Sequence, residues 1–160
     1  MGFIAGAYTA TYVAGSGSAE SIGRTRAGFD IEDNVLLQAV HTDDFGDVEV
    51  DGVCQGVMTT VRLDYVEYDK ILAALNVPFG TTQGVSNAKV GTLNSLLAGA
   101  LVLTPVAGTP AASITPNVYT FPLAIVSERV VRKLSSKLRE GPLTFRAYPN
   151  LCTGVAYTVD

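Results

Sequence analysis

The chain has 160 residues, of which 48% are hydrophobic and 16% charged. That is enough apolar material for one packed domain over residues 1–160 and too much for a disordered tail. Sixteen glycines and threonine-rich stretches, with a formal charge of -4, argue against a helical bundle and against a protein that clamps nucleic acid through its phosphates.

Residues 3–13 alternate small and large side chains, and Tyr8, Thr9, Thr11 and Tyr12 favour an extended chain. Residues 14–18, a Gly/Ser run, predict a flexible turn. Residues 22–39 predict one or two strands with Gly23 and Gly28 as bends or bulges, and residues 41–46 a polar loop. Asp47-Val48-Glu49-Val50-Asp51 then alternates strictly between acid and valine. This period of two predicts a strand with its valines buried and its carboxylates in water. Asp51-Gly52 reads either as a hairpin turn or, with Gly56, as a pair of bulges in one long strand.

Residues 64–76 predict a helix. Asp64 is placed to cap it, Glu67 completes a capping-box spacing, and Val66, Ile71, Leu72 and Leu75 form one stripe before Pro78 and Gly80. Residues 79–89 and 108–117 are polar loops of about ten residues, longer than the usual ~4–6, and loops of that kind often touch partners. Residues 92–103 fit either a buried strand or a short helix. Residues 118–126 and 143–148 predict strands, and the spacing of Val130, Val131, Leu134 and Leu138 between them fits a helix better than a strand. The most apolar run, residues 96–106, is broken by Gly99, Thr104 and Pro105 and is too short to span a bilayer. With no basic region before the apolar start, no secretory signal is expected.

Little in the chain suggests catalysis. His41 is the only histidine, which leaves no imidazole pair for zinc and at most one triad, and it falls in a polar loop. Asp47-x-Glu49-x-Asp51-Gly52 imitates half of a calcium loop, but Met58 stands where the bidentate glutamate belongs. Gly15-x-Gly17 lacks the third glycine of a dinucleotide fingerprint. Cys54 and Cys152 form no C-x-x-C and are expected to be free, buried thiols. No enzyme, metal or cofactor is expected.

The charge is unevenly placed. From Glu20 to Asp69 there are 12 acids against three arginines, and from Arg129 to Arg146 six bases against one acid. These are either two solvated faces or two unlike surfaces that meet between copies, where opposite charge sets orientation.

Four stretches resemble the tail tube (major tail) proteins of tailed bacteriophages. They are Ala5-Gly6-Ala7-Tyr8-Thr9-Ala10-Thr11-Tyr12 with Ile22-Gly23-Arg24-Thr25-Arg26-Ala27-Gly28-Phe29; Asp44-Phe45-Gly46-Asp47 with Val50-Asp51-Gly52-Val53 and Gln55-Gly56; the segment from Tyr68 to Leu75; and Phe121-Pro122-Leu123-Ala124, Ser135-Ser136-Lys137-Leu138-Arg139 and Pro142-Leu143-Thr144-Phe145-Arg146-Ala147. The resemblance implies a mainly β fold with one flanking α-helix (α+β), a β-sandwich or barrel-like core, and no enzymatic activity. It further implies hexameric rings stacked head-to-tail into a tube that conducts the genome. The implied partners are copies of the chain, tape measure, tail terminator and distal tail or baseplate proteins, and double-stranded DNA passing without specific binding. The protein would be made in the bacterial host cytoplasm and reside in the virion.

On that reading Asp47, Glu49 and Asp51 are candidates for a lumen-facing acidic strand, exposed on one face. Arg129, Arg132, Lys133, Lys137 and Arg139 are candidates for a basic face between rings. Thr81, Gln83, Asn87, Thr109 and Asn117 are candidate inter-subunit loop residues. Another virion component, such as a capsid decoration or head–tail neck protein, is the alternative. A small-ligand-binding β domain is a third, although the tyrosines are scattered along the sequence.

Overall fold

In a computed structural model of the chain, the structure describes residues 7–13, 18–22, 25–65, 80–81, 84–85, 90–127 and 141–160. The first strand, β1 (Tyr8–Val13), is built from β-branched and aromatic residues, and Ala10 and Tyr12 turn inward while Thr9 and Thr11 face water. It pairs with β2 (Ala19–Ser21) on one side and with β7 (Gly99–Pro105) on the other. Strands β3 (Thr25–His41) and β4 (Glu49–Tyr65) form a hairpin of two 17-residue strands. Their turn contains a short 3-10 segment, Asp43–Phe45, closed by Gly46 at φ 65°. A small hairpin pairs β5 (Gly80–Thr81) with β6 (Gly84–Val85). One helical turn, α1 (Asn94–Leu97), precedes β7, and β8 (Tyr119–Ser127), β9 (Gly141–Ala147) and β10 (Thr158–Val159) complete the set.

All ladders are antiparallel, and the main sheet runs β2-β1-β7-β8-β9-β4-β3, with β10 added beside the start of β8. The fold is mainly β with one short helix among the described residues. The sheet curls so that side chains of β1 approach those of β9 and share a cavity with those of β3. Tyr12 of β1 lies 5.3 Å from the ring of Phe145 on β9, three strands away, and its hydroxyl donates to the Ala124 carbonyl of β8 at 3.1 Å. Tyr8 of β1 and Phe29 and Ile31 of β3 line one cavity of about 200 Å³ with Leu103 and Tyr119, although β2 and β3 share no ladder. Inside the curl lie Tyr12, Ile22, Val61, Leu63, Leu101, Leu103, Phe121, Leu143 and Phe145, all almost fully buried. Each such side chain contributes about 1.5–3 kcal/mol by leaving water.

Several expectations change. Asp64 does not cap a helix: it belongs to β4, opposite Pro142 of β9, and the strand runs on through Tyr65. Pairing with β9 outweighs the local capping pattern there; residues 66–76 lie outside the described residues, as do 128–139. Residues 92–103 divide into α1 and then β7, where Leu101 and Leu103 are buried by alternation. Gly52 turns no hairpin, since it pairs with Ala39 in mid-strand. Gly56, at φ 140°, stands at a bulge where Leu36 faces Gly56 and Leu37 faces Cys54, leaving Gln55 extra. Gly28, at φ 87°, falls in the irregular stretch between the pairs Thr25–Tyr65 and Phe29–Leu63, as its bend was expected to. Both cysteines are free but exposed, not buried: Cys54 lies on the outer hairpin and Cys152 in a turn, both outside the core.

Candidate functional site: a projecting hairpin

The β3–β4 hairpin has two unlike halves. From Thr59 to Tyr65, β4 is flanked by β3 on one side and β9 on the other. From Glu49 to Met58 it pairs with β3 alone among the described residues, so there the outer half leaves the sheet as a two-stranded ribbon. Residues opposite each other in an antiparallel ladder share a face. Phe29–Leu63 and Ile31–Val61 therefore belong to the core face, which continues outward as Asp33–Thr59, Val35–Val57 and Leu37–Cys54. The opposite face carries Asp30–Arg62, Asn34–Met58, Leu36–Gly56 and Gln38–Val53.

Among the described residues no third layer covers the outer ribbon. Val35 (57%), Leu37 (62%) and Val57 (51%) are exposed on the inner face and Leu36 (48%) and Val53 (56%) on the other. Val48 and Val50 are also exposed, so the valines of the acid–valine alternation are not buried within the chain. Only residues 49–51 of the alternating stretch belong to β4, and burial of its valines would need a neighbouring layer, whereas β9 pairs no further out than Thr59.

The tip is acidic. Asp43, Asp44, Asp47, Glu49 and Asp51 are all exposed, and no lysine or arginine among the described residues pairs with them. Asp51 accepts a hydrogen bond from the Gly52 amide at 2.7 Å. Arg62 is engaged elsewhere, 3.3 Å from Glu32 on the inner half of the hairpin. The three carboxylates expected on one face are divided. Asp47 lies in the turn, Glu49 pairs with His41 and Asp51 with Val40. His41 and Val40 are neighbours with opposite directions, and the extra residue Val50 puts Glu49 and Asp51 on opposite faces.

At the base of the ribbon the Asp33 carboxylate accepts two hydrogen bonds, from Thr59 Oγ1 at 2.6 Å and from the Tyr157 hydroxyl at 2.9 Å. Tyr157 is fixed in turn by rings, with Phe121 at 5.0 Å and Tyr119 at 6.3 Å, and Tyr119 lies 6.2 Å from Tyr8. The hydrogen bond to Asp33 pushes the Tyr157 phenol upward, with burial and the nearby negative charge adding to it. Burial raises Tyr12, against a smaller opposing pull from the Gly99 backbone, and burial with neighbouring Tyr119 raises Tyr8. Tyrosines scattered in sequence thus converge in space. Between the inner ribbon face and residues 149–157 lies an open groove of about 670 Å³, lined by Asp33, Val35, Val57, Pro149, Ala156 and Tyr157 among others.

Of the remaining expected site residues, the described ones are engaged elsewhere than at this hairpin. Thr109 donates to the Val106 carbonyl at 2.7 Å, and Asn117 donates to the carbonyls of Ala111 and Ala112, both at 3.3 Å, so each braces its own loop. Thr81 belongs to the small β5–β6 hairpin. Gln83, Asn87, Arg129, Arg132, Lys133, Lys137 and Arg139 lie outside the described residues. Among the described residues no group of three His, Cys, Asp or Glu is placed to hold a metal, and no helix is long and apolar enough to cross a membrane. Asp33, Thr59 and Tyr157 were not singled out from the sequence. The run Val35-Leu36-Leu37 carried a usable signal, since three consecutive apolar residues in a strand must put one on each face. Compared with known proteins, the chain matches no family model and no curated sequence.

Proposed function

We propose that the chain is a non-enzymatic structural subunit that assembles with copies of itself, in the manner of a phage tail tube protein. The observation that carries this reading is the outer β3–β4 ribbon, whose valines and leucines are exposed on both faces. Contiguous exposed apolar surface is a mark of an interaction site, and unpaired strand edges are templates for further strands. The resemblance of the four sequence stretches supplies the particular assembly: hexameric rings stacked into a virion tube, with tape measure, terminator and baseplate proteins at its ends. The exposed carboxylates of the tip suit a conduit for DNA, because negative charge on a bore repels phosphates and prevents sticking.

Electron microscopy and sedimentation velocity at rising protein concentration test the proposal. Rings or tubes of stacked rings are the expected result. Isolated particles that coat capsids would favour the decoration or neck alternative. A chain that remains monomeric at every concentration would overturn self-assembly.

A further inference from the structure

We infer that Asp33 and Tyr157 form a latch that sets the angle between the projecting ribbon and the body of the domain. This inference concerns the single chain and stands or falls apart from what the chain assembles into. The pair Asp33–Thr59 marks the place where β4 loses β9, and from there outward the ribbon is two strands wide among the described residues. Three pairs further out, the bulge at Gln55 and Gly56 interrupts the ladder. A two-stranded ribbon on such a base has little of its own to fix its direction.

Asp33 supplies the missing constraint. One carboxylate oxygen takes Thr59 of the same hairpin and the other takes Tyr157 of the C-terminal segment. Tyr157 is itself anchored: its ring packs on Phe121, and the residues after it are zipped to β8, where the Asp160 amide donates to the Val118 carbonyl at 2.9 Å. The two arms differ in effect. The Thr59 arm ties the hairpin to itself, and the Tyr157 arm ties it to the core. Releasing the Tyr157 arm frees the ribbon to swing away from residues 149–157 and widens the groove between them. Charge-assisted hydrogen bonds to a carboxylate are stronger than neutral ones, so one bond suffices to bias the angle.

The native cysteines make this measurable, because Cys54 is exposed on the ribbon and Cys152 is exposed in the turn before Tyr157. Nitroxide labels on both, in full-length chain diluted with an unlabelled Cys54→Ser, Cys152→Ser chain, report the intramolecular distance by pulsed electron resonance. The native chain should give one narrow distribution. Tyr157→Phe, which keeps the ring and removes the hydroxyl, should broaden and lengthen it. Thr59→Val, which removes the other arm, should leave it narrow. Asp33→Ala, which removes both arms, serves as a second test beside Thr59→Val if Tyr157→Phe fails to fold, and the same broadening is expected. Identical distributions in the native chain and in the folded latch variant would overturn the inference. So would equal broadening in Thr59→Val, since the bond to Tyr157 would then not be what holds the angle.

Discussion

Replacing the cross-strand pair Val35 and Val57 by threonine separates what the ribbon does for the free chain from what it does for assembly. The two valines are directly opposite on the inner face and are 57% and 51% exposed. Fully burying a valine contributes about 1.5–3 kcal/mol, so covering the exposed half of each on association adds roughly 0.8–1.5 kcal/mol, or about 1.5–3 kcal/mol for the pair. Threonine keeps the branched shape and the strand preference. In the free chain the double variant should therefore stay within about 0.5 kcal/mol of the native protein, as surface changes do. On assembly it forfeits most of the apolar gain and takes two hydroxyls out of water. At ~1.4 kcal/mol per factor of ten, the concentration needed for half-assembly should rise about 10- to 100-fold. Sedimentation velocity across a dilution series reads that midpoint, and thermal unfolding of the dilute chain reads the control. If the native chain assembles and the variant does so at the same concentration, the inner ribbon face is not part of the contact. A dilute-chain melting temperature lowered by ten degrees or so would show that these valines already pack within one chain.

Four further outcomes follow from the core and the bulge. Phe145→Ala removes a fully buried ring in contact with Tyr12 and should cost about 3–5 kcal/mol in urea unfolding; a loss under about 1 kcal/mol would mean that the sheet does not curl around it. Tyr12→Phe removes the hydrogen bond to the Ala124 carbonyl together with the weaker interaction with the Gly99 backbone and should cost about 1 kcal/mol with the curl intact by near-ultraviolet circular dichroism. The folded chain holds the Tyr12 proton more tightly than the unfolded chain, whose tyrosines titrate near 10.0; stability should be level with respect to this group below that pH and fall as pH rises above it, and Tyr12→Phe should flatten the fall. Gly56→Ala forces a side chain into φ 140° with nothing crowding it, a backbone strain of about 1–2 kcal/mol that should appear as faster amide exchange in the outer ribbon than in β8 and β9; unchanged exchange would refute the strain.

What the sequence disclosed and what it hid differ by the range of the interaction. β1, β8 and β9 were legible because alternation of residues such as Ala10, Tyr12, Leu143 and Phe145 is a local property of a strand with one core face. The bulges were legible as glycines, though choosing between Gly52 and Gly56 required the register. Asp64 was misread because a capping pattern is local and its pairing with Pro142 spans the chain. The same limit hid the site. Asp33 and Tyr157 are 124 residues apart, and nothing about either residue alone announces the other. The cysteines were misplaced because the general tendency of unpaired thiols to be buried takes no account of position: Cys54 and Cys152, like Val53 and Leu151 beside them, are exposed.

The hairpin then poses a single physical question, since one pair of strands carries similar residues along its length and only half of it is buried. Ile31 and Val61 face the core while Val35 and Val57, two pairs out on the same face, face water. Residue chemistry does not distinguish them; the presence of β9 does. A two-stranded ribbon is marginally stable in water by itself, so the outer half takes its order from its base, through the ladder, the Asp33 carboxylate and the anchored Tyr157. A copy that covers the exposed valines and leucines would do for the outer half what β9 and the curled sheet do for the inner half. In the proposed assembly, order in the ribbon and occupancy of its faces would therefore be linked quantities, and loosening the base would raise the entropic cost of association.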